Sequence, residues 1–493
     1  MFHTVMSPLY RSVCRVCWSS GATPPLTLTR PCKTAVVPFV QPEFLRGSPH
    51  RKHPGVTNLK TIRLPEELQS AAVSVIYKSE VKDLSERVRK LTNFLWSRKR
   101  AVESHELRER AIALEEKWKE QERVTDETHV SIETRIRKKV LSELKRTTYH
   151  WTPLKYDTDL GVVYMTARLA GSYAAVLRAL NEIKKRDSSF TPHSLLDFSS
   201  GLGAALWAAH THWGDSLREY VCVNASAAMN SLAERLLTGD TEGADPLIKH
   251  VYFRQFLPVS PKVQSDLVLA AFSLSELATQ EAREQTLLTL WRKTHSYLVL
   301  VENGTKAGHQ ILMEAKDILL KKEEKVSGDV GRLLVFAPCP HQQPCPKLLK
   351  QPITPCNFLQ PYYPLPVSGG SESVQEKFSF LVLTRSEPQQ LEAGQWSRIV
   401  SPVLRRSRHV QCEICCSNGE LKQLAITARH HGRDTYRCAR SSDQGDRLPM
   451  VQTEKHTETD TRRSEPQALT SFSLGSAEKL PRTSDTSTGS TGS

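Results

Sequence analysis

The sequence predicts an α/β protein organised around a doubly wound, mainly parallel β-sheet. Three observations support this prediction. Short apolar runs alternate with helical stretches through the middle of the chain, a glycine turn joins the first of these runs to a helix, and the flanking segments differ in composition. Strands that alternate with helices form parallel sheets that are covered by helices on both faces. A chain of 493 residues has room for several domains.

The central strands are predicted from apolar runs that are each followed by a helical stretch. The runs lie at 194–198, 220–224, 250–253, 266–270 and 296–302. The helical stretches lie at 204–210, 229–237, 281–293 and 307–322. Two further strands, at 333–336 and 378–383, are predicted to close the sheet as a pair, with a loop over 338–366 between them that carries proline and cysteine. These elements define a domain over 151–395.

Helical segments precede the sheet. Residues 66–142 are rich in Glu, Lys, Arg and Leu and contain almost no Gly or Pro. Apolar residues recur there at helical spacing, namely Val81, Leu84, Val88, Leu91 and Leu95. We therefore predict a helical N-terminal domain over 43–150 and a further helix over 161–186 that leads into the first strand.

Residues 1–42 have the composition of a mitochondrial transit peptide. Basic residues occur among Ser and Thr, and no acidic residue precedes Glu43. Arg11 and Arg15 interrupt the apolar core that a secretory signal would need. The segment predicts import into the mitochondrial matrix, with a disordered basic start as the alternative. Because Cys14 and Cys17 would be removed with the transit peptide, we do not interpret this pair as a metal site.

The charge of the chain favours an anionic partner. The formal net charge is +14, and no apolar run is long enough to indicate a membrane span, so nucleic acid is a better candidate than a membrane. A small basic β module is predicted over 396–449, with strands at 410–415, 421–427 and 436–439. Residues 450–493 are rich in Ser, Thr and charged residues, which predicts a disordered tail.

The turn after the first predicted strand is the candidate cofactor site. Asp197-Phe198-Ser199-Ser200-Gly201-Leu202-Gly203 places an acidic residue near the end of a strand and two glycines before a helix. Glycines allow a tight turn and a close ligand, and the helix N-terminus offers free N–H groups. The run lacks the dinucleotide-binding glycine pattern. The alternative is an ordinary strand, turn and helix without a ligand.

This run resembles motif I of class I S-adenosylmethionine-dependent methyltransferases. The resemblance implies a class I methyltransferase-like doubly wound sheet, with Asp197, Gly201, Gly203 and Asn224 at the cofactor. Asn224 stands where those enzymes carry an acidic residue that binds the ribose hydroxyls, and Ser199 replaces the first glycine of the motif. Loss of the charge-assisted hydrogen bonds costs on the order of 1 kcal/mol or more, so we expect weak binding.

The residues expected of a catalytic centre are missing. Residues 271–276 lack the Asn/Asp-Pro-Pro-aromatic motif of base amino-methyltransferases. Cys222 lies inside a predicted strand, where a buried thiol is better explained as part of the core than as a nucleophile. The sequence therefore leaves enzymatic activity open.

The cysteines form a second candidate site. Three lie in the proline-rich loop, namely Cys339, Cys345 and Cys356, and three lie within 412–416 of the basic module, namely Cys412, Cys415 and Cys416. Metal ligation would supply the cross-links that such segments lack. Only one pair has the C-x-x-C spacing of a zinc knuckle, whereas iron-sulfur clusters tolerate uneven spacing, so both remain open, with His341 as an alternative ligand. Free thiols are a further alternative.

Several short motifs occur together across residues 66–448. They are YAAVL at 173–177, LLDFSSG at 195–201, LVENGT at 300–305, CPH at 339–341, PCP at 344–346 and GRDTYR at 432–437. In this combination the chain resembles the mitochondrial Rsm-type family of methyltransferase-like proteins associated with the small ribosomal subunit. The resemblance implies a matrix protein that binds small-subunit rRNA, the immature subunit and its assembly factors and that is needed for mitochondrial translation.

The resemblance also implies a four-iron, four-sulfur (4Fe-4S) cluster held by Cys339, Cys345, Cys356 and Cys415. Arginines of the basic module are expected to crowd around Cys415 and to bind rRNA, namely Arg405, Arg406, Arg408, Arg429, Arg433 and Arg437. Because the base-specific motif is missing, we expect an assembly factor built on a methyltransferase-like fold. We also expect the protein to be a monomer. An active S-adenosylmethionine-dependent rRNA methyltransferase is the alternative.

Overall fold

The computed structural model describes residues 35–38, 50–122, 129–149, 151–260, 262–324, 333–367, 372–385 and 396–453. Most of the predicted transit peptide and the tail beyond Thr453 lie outside these residues. Residues Thr34–Thr453 form one compact unit.

The elements before the sheet are one short strand and four helices. They are β1 (Ala35–Pro38), α1 (Glu66–Tyr77), α2 (Leu84–Ser97), α3 (Ser104–Glu122) and α4 (His129–Thr147). Helix α1 has buried apolar residues on one face, including Leu68, Ala72 and Val75, and these belong to the same core as the central sheet. The predicted helices are therefore present, but α1 has no core separate from that of the sheet.

The central region alternates strands and helices as predicted. The strands are β2 (Ser194–Phe198), β3 (Glu219–Val223), β4 (Val251–Arg254), β5 (Ser265–Ala271), β6 (Thr294–Asn303), β7 (Leu334–Ala337), β8 (Phe358–Tyr362) and β9 (Val374–Thr384). The helices are α5 (Thr158–Arg186), α6 (Ala204–Trp213), α7 (Ala227–Leu237), α8 (Gln280–Lys293), α9 (Lys306–Glu324) and the short α10 (Pro346–Leu349).

The strand order of the sheet is β4-β3-β2-β5-β6-β9-β7, and β8 pairs with β9. Strands β2 to β6 are parallel, whereas β9 runs antiparallel to both β6 and β7. This mixed sheet has the class I methyltransferase order, which confirms the predicted methyltransferase-like α/β fold. The strand order reverses between β2 and β5, and ligands of open α/β sheets bind outside the carboxyl ends of the strands at such a switch point.

Two apolar cores cover the faces of the sheet. Leu267 and Leu269 of β5 pack with residues of α5, α6 and α7, whereas Val268 and Ala270 of the same strand pack with residues of α8 and α9. Alternate residues of a strand face opposite sides of a sheet, so strands buried on both faces are apolar throughout. This explains the unbroken apolar runs in the sequence.

Helix α5 is the central helix of the larger core. It is long and apolar enough to cross a membrane, but 78% of its most apolar window is buried inside the protein. Asp157 caps its N-terminus by accepting the N–H of Leu160 at 2.8 Å. At Gly171 a Cβ atom would lie 2.4 Å from Glu376 Oε2, so the glycine allows β9 to approach the helix closely.

The C-terminal module contains a second sheet. Its elements are β10 (Ser397–Ile399), β11 (Leu404–Arg405), β12 (Val410–Cys415), β13 (Leu421–Ile426), α11 (Ala428–His431), α12 (Arg433–Ser441) and β14 (Arg447–Leu448), followed by β15 (Met450–Thr453). The order is β11-β12-β10-β14, and β13 pairs with β12.

Two predictions for the ends of this module are wrong. The strand predicted at 436–439 is part of helix α12, in which Thr435, Cys438 and Ala439 are buried at helical spacing. The tail predicted from 450 is wrong for its first four residues, because Met450–Thr453 pairs antiparallel with Ala35–Pro38, a strand inside the predicted transit peptide. Neither pairing partner can be recognised from local composition, because the two strands are far apart in the sequence.

Candidate functional site

The turn between β2 and α6 has the backbone conformation that its glycines allow. Gly201 and Gly203 have φ values of 56° and 77°, and Ser199 has a φ of 58°. The Ser200 N–H donates to Val223 O at 3.0 Å and the Gly203 N–H donates to Ser200 O at 2.8 Å, which ties the turn to β3. A serine in the left-handed region is strained, and such strain is common at ligand sites.

A cleft of about 730 Å³ opens at the carboxyl ends of β2 to β5. Asn224 lines it, together with Ser199, Ser226 and Ser273. Gly201, Gly203 and Asp197 are not among the lining residues, although the turn borders the cleft through Ser199. Asn224 Oδ1 already accepts the Ser226 N–H at 3.0 Å, so part of its hydrogen-bonding capacity is used within the loop.

Asp197 lies beneath the cleft. Its side chain is buried, burial raises its pKa to about 8, and Oδ2 has no hydrogen-bond partner among the described residues. The carboxyl group accepts the backbone N–H of Leu206 in α6, which lowers the pKa but does not offset the effect of burial. This hydrogen bond joins the end of β2 to the helix that follows the glycine turn, and the Asp197 side chain does not line the cleft.

A second, small cavity of about 40 Å³ lies beside the cleft, and Tyr156 and Glu276 line both. Phe272 follows β5 with a φ of 57°, which is unusual for an aromatic residue. Glu302 at the end of β6 is 1% exposed, and burial raises its pKa to about 7. Arg168 of α5 also lines this cavity and binds Glu376 at 2.9 Å. Sequence reasoning missed these residues because they come from distant segments.

The cysteine loop and the C-terminal module meet at the second candidate site. Cys339, Cys345 and Cys415 are buried, and Cys356 is half-buried. Burial raises the pKa of the Cys415 thiol well above its ordinary value, and the thiolates of Cys339, Cys356 and Cys345 would raise it further. The four predicted ligands therefore lie within electrostatic range of one another.

Strand alternation distinguishes Cys415 from its neighbours. Cys412 and Cys416 belong to the apolar core of the module, together with Ile414 and Ala439 of α12. Cys415 lies on the other face of β12, as does Glu413, which binds Lys347 of α10 at 3.3 Å. Only Cys415 of the three thiols is therefore directed toward the cysteine loop.

Basic side chains surround the thiols. His341 Nε2 lies 3.2 Å from Cys415 Sγ, and His309 Nε2 lies 3.5 Å from Cys345 Sγ. Burial lowers the pKa of both histidines to about 4. Lys316 is fully buried and donates to Gln343 O at 2.5 Å. No three His, Cys, Asp or Glu side chains lie close enough to hold a single metal ion in the described part of the chain.

The six candidate RNA-binding arginines are all exposed on the module. Helix α12, which carries Arg433 and Arg437, packs on the face of β12 opposite Cys415. Arg405 has a structural role, because it donates to Arg440 O at 2.8 Å and to Ser442 O at 2.6 Å. Arg405, Arg433 and Arg437 therefore lie on the α12 side of β12, away from Cys415, and rRNA binding by the six arginines stays a prediction.

Comparisons with known proteins identify the family of this chain. Residues 159–449 match the family described as mitochondrial small ribosomal subunit Rsm22. The human protein named ribosome assembly protein METTL17, mitochondrial, is 50% identical over 408 residues, which cover 83% of this chain and 87% of that protein. The Schizosaccharomyces pombe Rsm22-cox11 tandem protein 2, mitochondrial, is 27% identical over 228 residues, which cover 39% of this chain and 30% of that protein.

The solved structures that are similar to this chain include the precorrin-6y C5,15-methyltransferase of Geobacter metallireducens. The match has a TM-score of 0.27 and 12% identity, and it covers 43% of this chain and 87% of that chain. The predicted family and the mitochondrial location are confirmed by the family match and the human relative. The chain belongs to the Rsm22 family of the mitochondrial small ribosomal subunit.

Proposed function

We propose that the protein is an assembly factor of the mitochondrial small ribosomal subunit that acts in the matrix and binds small-subunit rRNA. The human relative, half identical over most of both chains, is named a ribosome assembly protein. The net charge of +14 and the exposed arginines of the C-terminal module suit binding to a phosphate backbone. Exposed arginines such as Arg406 and Arg408 would contact phosphates, whereas Arg405 would stabilise the fold of the module.

The same proposal includes a 4Fe-4S cluster bound by Cys339, Cys345, Cys356 and Cys415. The observation that carries it is that these thiols, distant in sequence, come within electrostatic range at the junction of two segments. Each thiolate of such a cluster binds a different iron, so its ligands stand farther apart than those of one metal ion. Burial raises the pKa of the Cys339, Cys345 and Cys356 thiols, whereas the positive charges of Lys316, Lys347 and Arg398 act in the opposite direction and would balance thiolate charge.

The bound cluster would supply a covalent cross-link between the cysteine loop and β12. His341 can donate a hydrogen bond to the sulfur of Cys415, which would orient that ligand. Because Glu413 already holds Lys347 and Lys350 at 3.3 Å, the two segments are also joined by ion pairs. Loss of the cluster should therefore loosen the module without unfolding the central sheet.

Replacement of Cys415 by Ser tests the cluster, and replacement of Cys412 by Ser is the matched control on the same strand. Anaerobically purified wild type should be brown and contain stoichiometric iron and sulfide. Cys415→Ser should lose the visible absorbance and its association with small-subunit particles, whereas Cys412→Ser should retain both. A colourless wild type with zinc, or equal losses in the two variants, would contradict the assignment.

The cleft at β2 to β5 is proposed to bind S-adenosylmethionine weakly, since Asn224 replaces a carboxylate and Gly201 and Gly203 shape the turn. An active rRNA methyltransferase is the second candidate, favoured by the cleft itself. An assay of methyl transfer from labelled cofactor to the RNA of immature small subunits distinguishes an assembly factor from an active methyltransferase. We expect no methyl transfer. Transfer by wild type that is lost in a Gly201→Arg variant would favour the enzyme.

A further inference from the structure

The linker between α2 and α3 enters the small cavity beside the cleft. Its first residue, Arg98, has a side chain that is only 6% exposed. Arg98 Nη1 binds Glu276 Oε1 at 2.5 Å, and Nη2 donates to Thr152 O at 3.1 Å. The guanidinium also lies over the Trp151 ring at 4.8 Å. A carboxylate, a carbonyl oxygen and an aromatic face are the three kinds of group that bind a guanidinium best.

Arg98 lines this small cavity, which lies at the carboxyl ends of β5 and β6. Glu276 follows β5 and lines both this cavity and the large cleft, so the two are adjacent. The cavity also has an unused acceptor, because Glu302 Oε2 is buried without a hydrogen-bond partner among the described residues. Phe272, held at a positive φ, forms another wall. The other oxygen of the Glu302 carboxylate, Oε1, accepts the Ser275 N–H at 3.0 Å. Strained backbone beside a buried polar atom without a hydrogen-bond partner is typical of a binding site.

Further contacts hold the linker across this cavity. Arg100 forms ion pairs with Glu314 of α9 and with Glu106 of α3. Glu103 binds Arg283 of α8 at 3.1 Å and accepts the Gln280 N–H at 2.9 Å. The linker is thus fixed to both helices that cover this side of the sheet, and the position of Arg98 follows from several contacts.

We propose that Glu276, the Thr152 carbonyl and the Trp151 ring form a guanidinium-binding site that the protein keeps filled with its own Arg98. Because the guanidinium occupies the end of the cleft where β5 and β6 finish, it closes that end to any other molecule. This inference goes beyond the role in ribosome assembly, and it depends neither on rRNA binding nor on the iron-sulfur cluster. The chain therefore combines a cofactor-type cleft with a blocked neighbouring pocket.

Chemical rescue of an Arg98→Ala variant tests the site in the full-length protein. Truncation removes the guanidinium and leaves its partners in place, so ethylguanidinium should bind the variant in the millimolar range, measured by calorimetry and by the rise in Tm. Wild type should not bind it. Glu276→Gln in the Arg98→Ala background should weaken the affinity by about tenfold or more, since a charge-assisted hydrogen bond is lost.

Ethylammonium is the matched probe, because it has the same charge without the planar donor fork. A folded Arg98→Ala variant that binds ethylguanidinium no better than wild type does, or no better than it binds ethylammonium, would overturn the proposal.

A second variant covers the case in which Arg98→Ala does not fold. Glu276→Gln in the otherwise unchanged chain should release Arg98 and speed tryptic cleavage at 98–100 severalfold. Glu284→Gln is the control, because Glu284 is an exposed residue of the nearby helix α8. Equal cleavage rates in Glu276→Gln and Glu284→Gln would also overturn the proposal.

Discussion

Single buried residues connect segments that the sequence does not relate. His53 is 1% exposed, and its Nδ1 accepts the Gly55 N–H at 3.1 Å. Its Nε2 therefore carries the proton and donates to Ser442 Oγ at 2.8 Å. Burial lowers the pKa of His53 to about 4, and the positive charges of Lys185 and Arg447 act in the same direction. The neutral ring thus joins the N-terminal segment to the C-terminal module.

This lowered pKa predicts a loss of stability in acid. In the unfolded chain His53 binds a proton near pH 6.5, whereas in the folded chain it does so only near pH 4. The contribution of neutral His53 to the free energy of unfolding is therefore complete above pH 6.5 and falls as the pH drops from 6.5 to about 4. At about pH 5 the loss is about 2 kcal/mol. The His53→Gln variant lacks this imidazole, so its stability does not fall through protonation at position 53. The difference in free energy of unfolding between wild type and variant, measured in urea titrations, should therefore shrink from about pH 7.5 to about pH 5. A constant difference would contradict the assignment.

At the scale of elements, the turn between β11 and β12 is the ordered basic edge of the module. The Arg406 N–H donates to His409 O at 2.9 Å, and Arg406 O accepts from Arg440 Nη1 at 2.7 Å. Tyr436 of α12 donates to Ser407 O at 3.4 Å. Because backbone contacts fix this turn, the Arg406 and Arg408 side chains extend from a rigid base.

Charge reversal of this turn should weaken rRNA binding without unfolding the module. For Arg406→Glu together with Arg408→Glu, we expect the affinity for a small-subunit rRNA fragment to fall by more than about tenfold. The slope of log affinity against log salt should fall by about 0.7 to 0.9 for each lost phosphate contact. Filter binding at several salt concentrations measures both. Arg218→Glu, at an exposed position of the central domain, is the control. Equal slopes in wild type and the double variant would exclude this turn from the interface.

At the scale of the whole molecule, a buried ionic cluster joins the sheet to the module. Glu182 of α5 binds Arg398 of β10 at 2.7 Å and Arg178 at 3.0 Å. Burial alone would raise the pKa of Glu182, but Arg398 and Arg178 outweigh it and hold the pKa well below its ordinary value. Arg398 also donates to Pro338 O at 2.9 Å, directly before the cysteine loop.

Neutralising this cluster should destabilise the protein where the module meets the sheet. Glu182→Gln removes the carboxylate that pairs with the buried guanidinium groups of Arg178, Arg186 and Arg398, and breaking a buried ion pair typically costs about 3 to 5 kcal/mol. We expect a lower urea midpoint and faster amide exchange in 397–448. Glu376→Gln breaks another buried pair, with Arg168, and should lower the midpoint without changing exchange in the module. Equal exchange in the two variants would show that Glu182 does not hold the module.

The parts of this protein that depend on local patterns could be predicted from its sequence. The apolar runs of β2 to β6, the helix α5 and the glycine turn at Gly201 follow from periodicity and backbone preference, because each is defined by neighbours within a few residues. The fold class followed from their alternation. The family resemblance came from motifs spread over most of the chain.

Which distant residues meet depends on the tertiary structure. Thr435, Cys438 and Ala439 form the buried face of α12 because this helix packs against β12. The pairing of Met450–Thr453 with Ala35–Pro38 has no local signal in the sequence. The face of β12 that carries Cys415, the entry of Arg98 beside Glu276 and the contact of Glu182 with Arg398 are likewise long-range. Local sequence fixes how a segment is shaped, whereas its partners depend on how all segments pack together to bury apolar surface and pair buried charge.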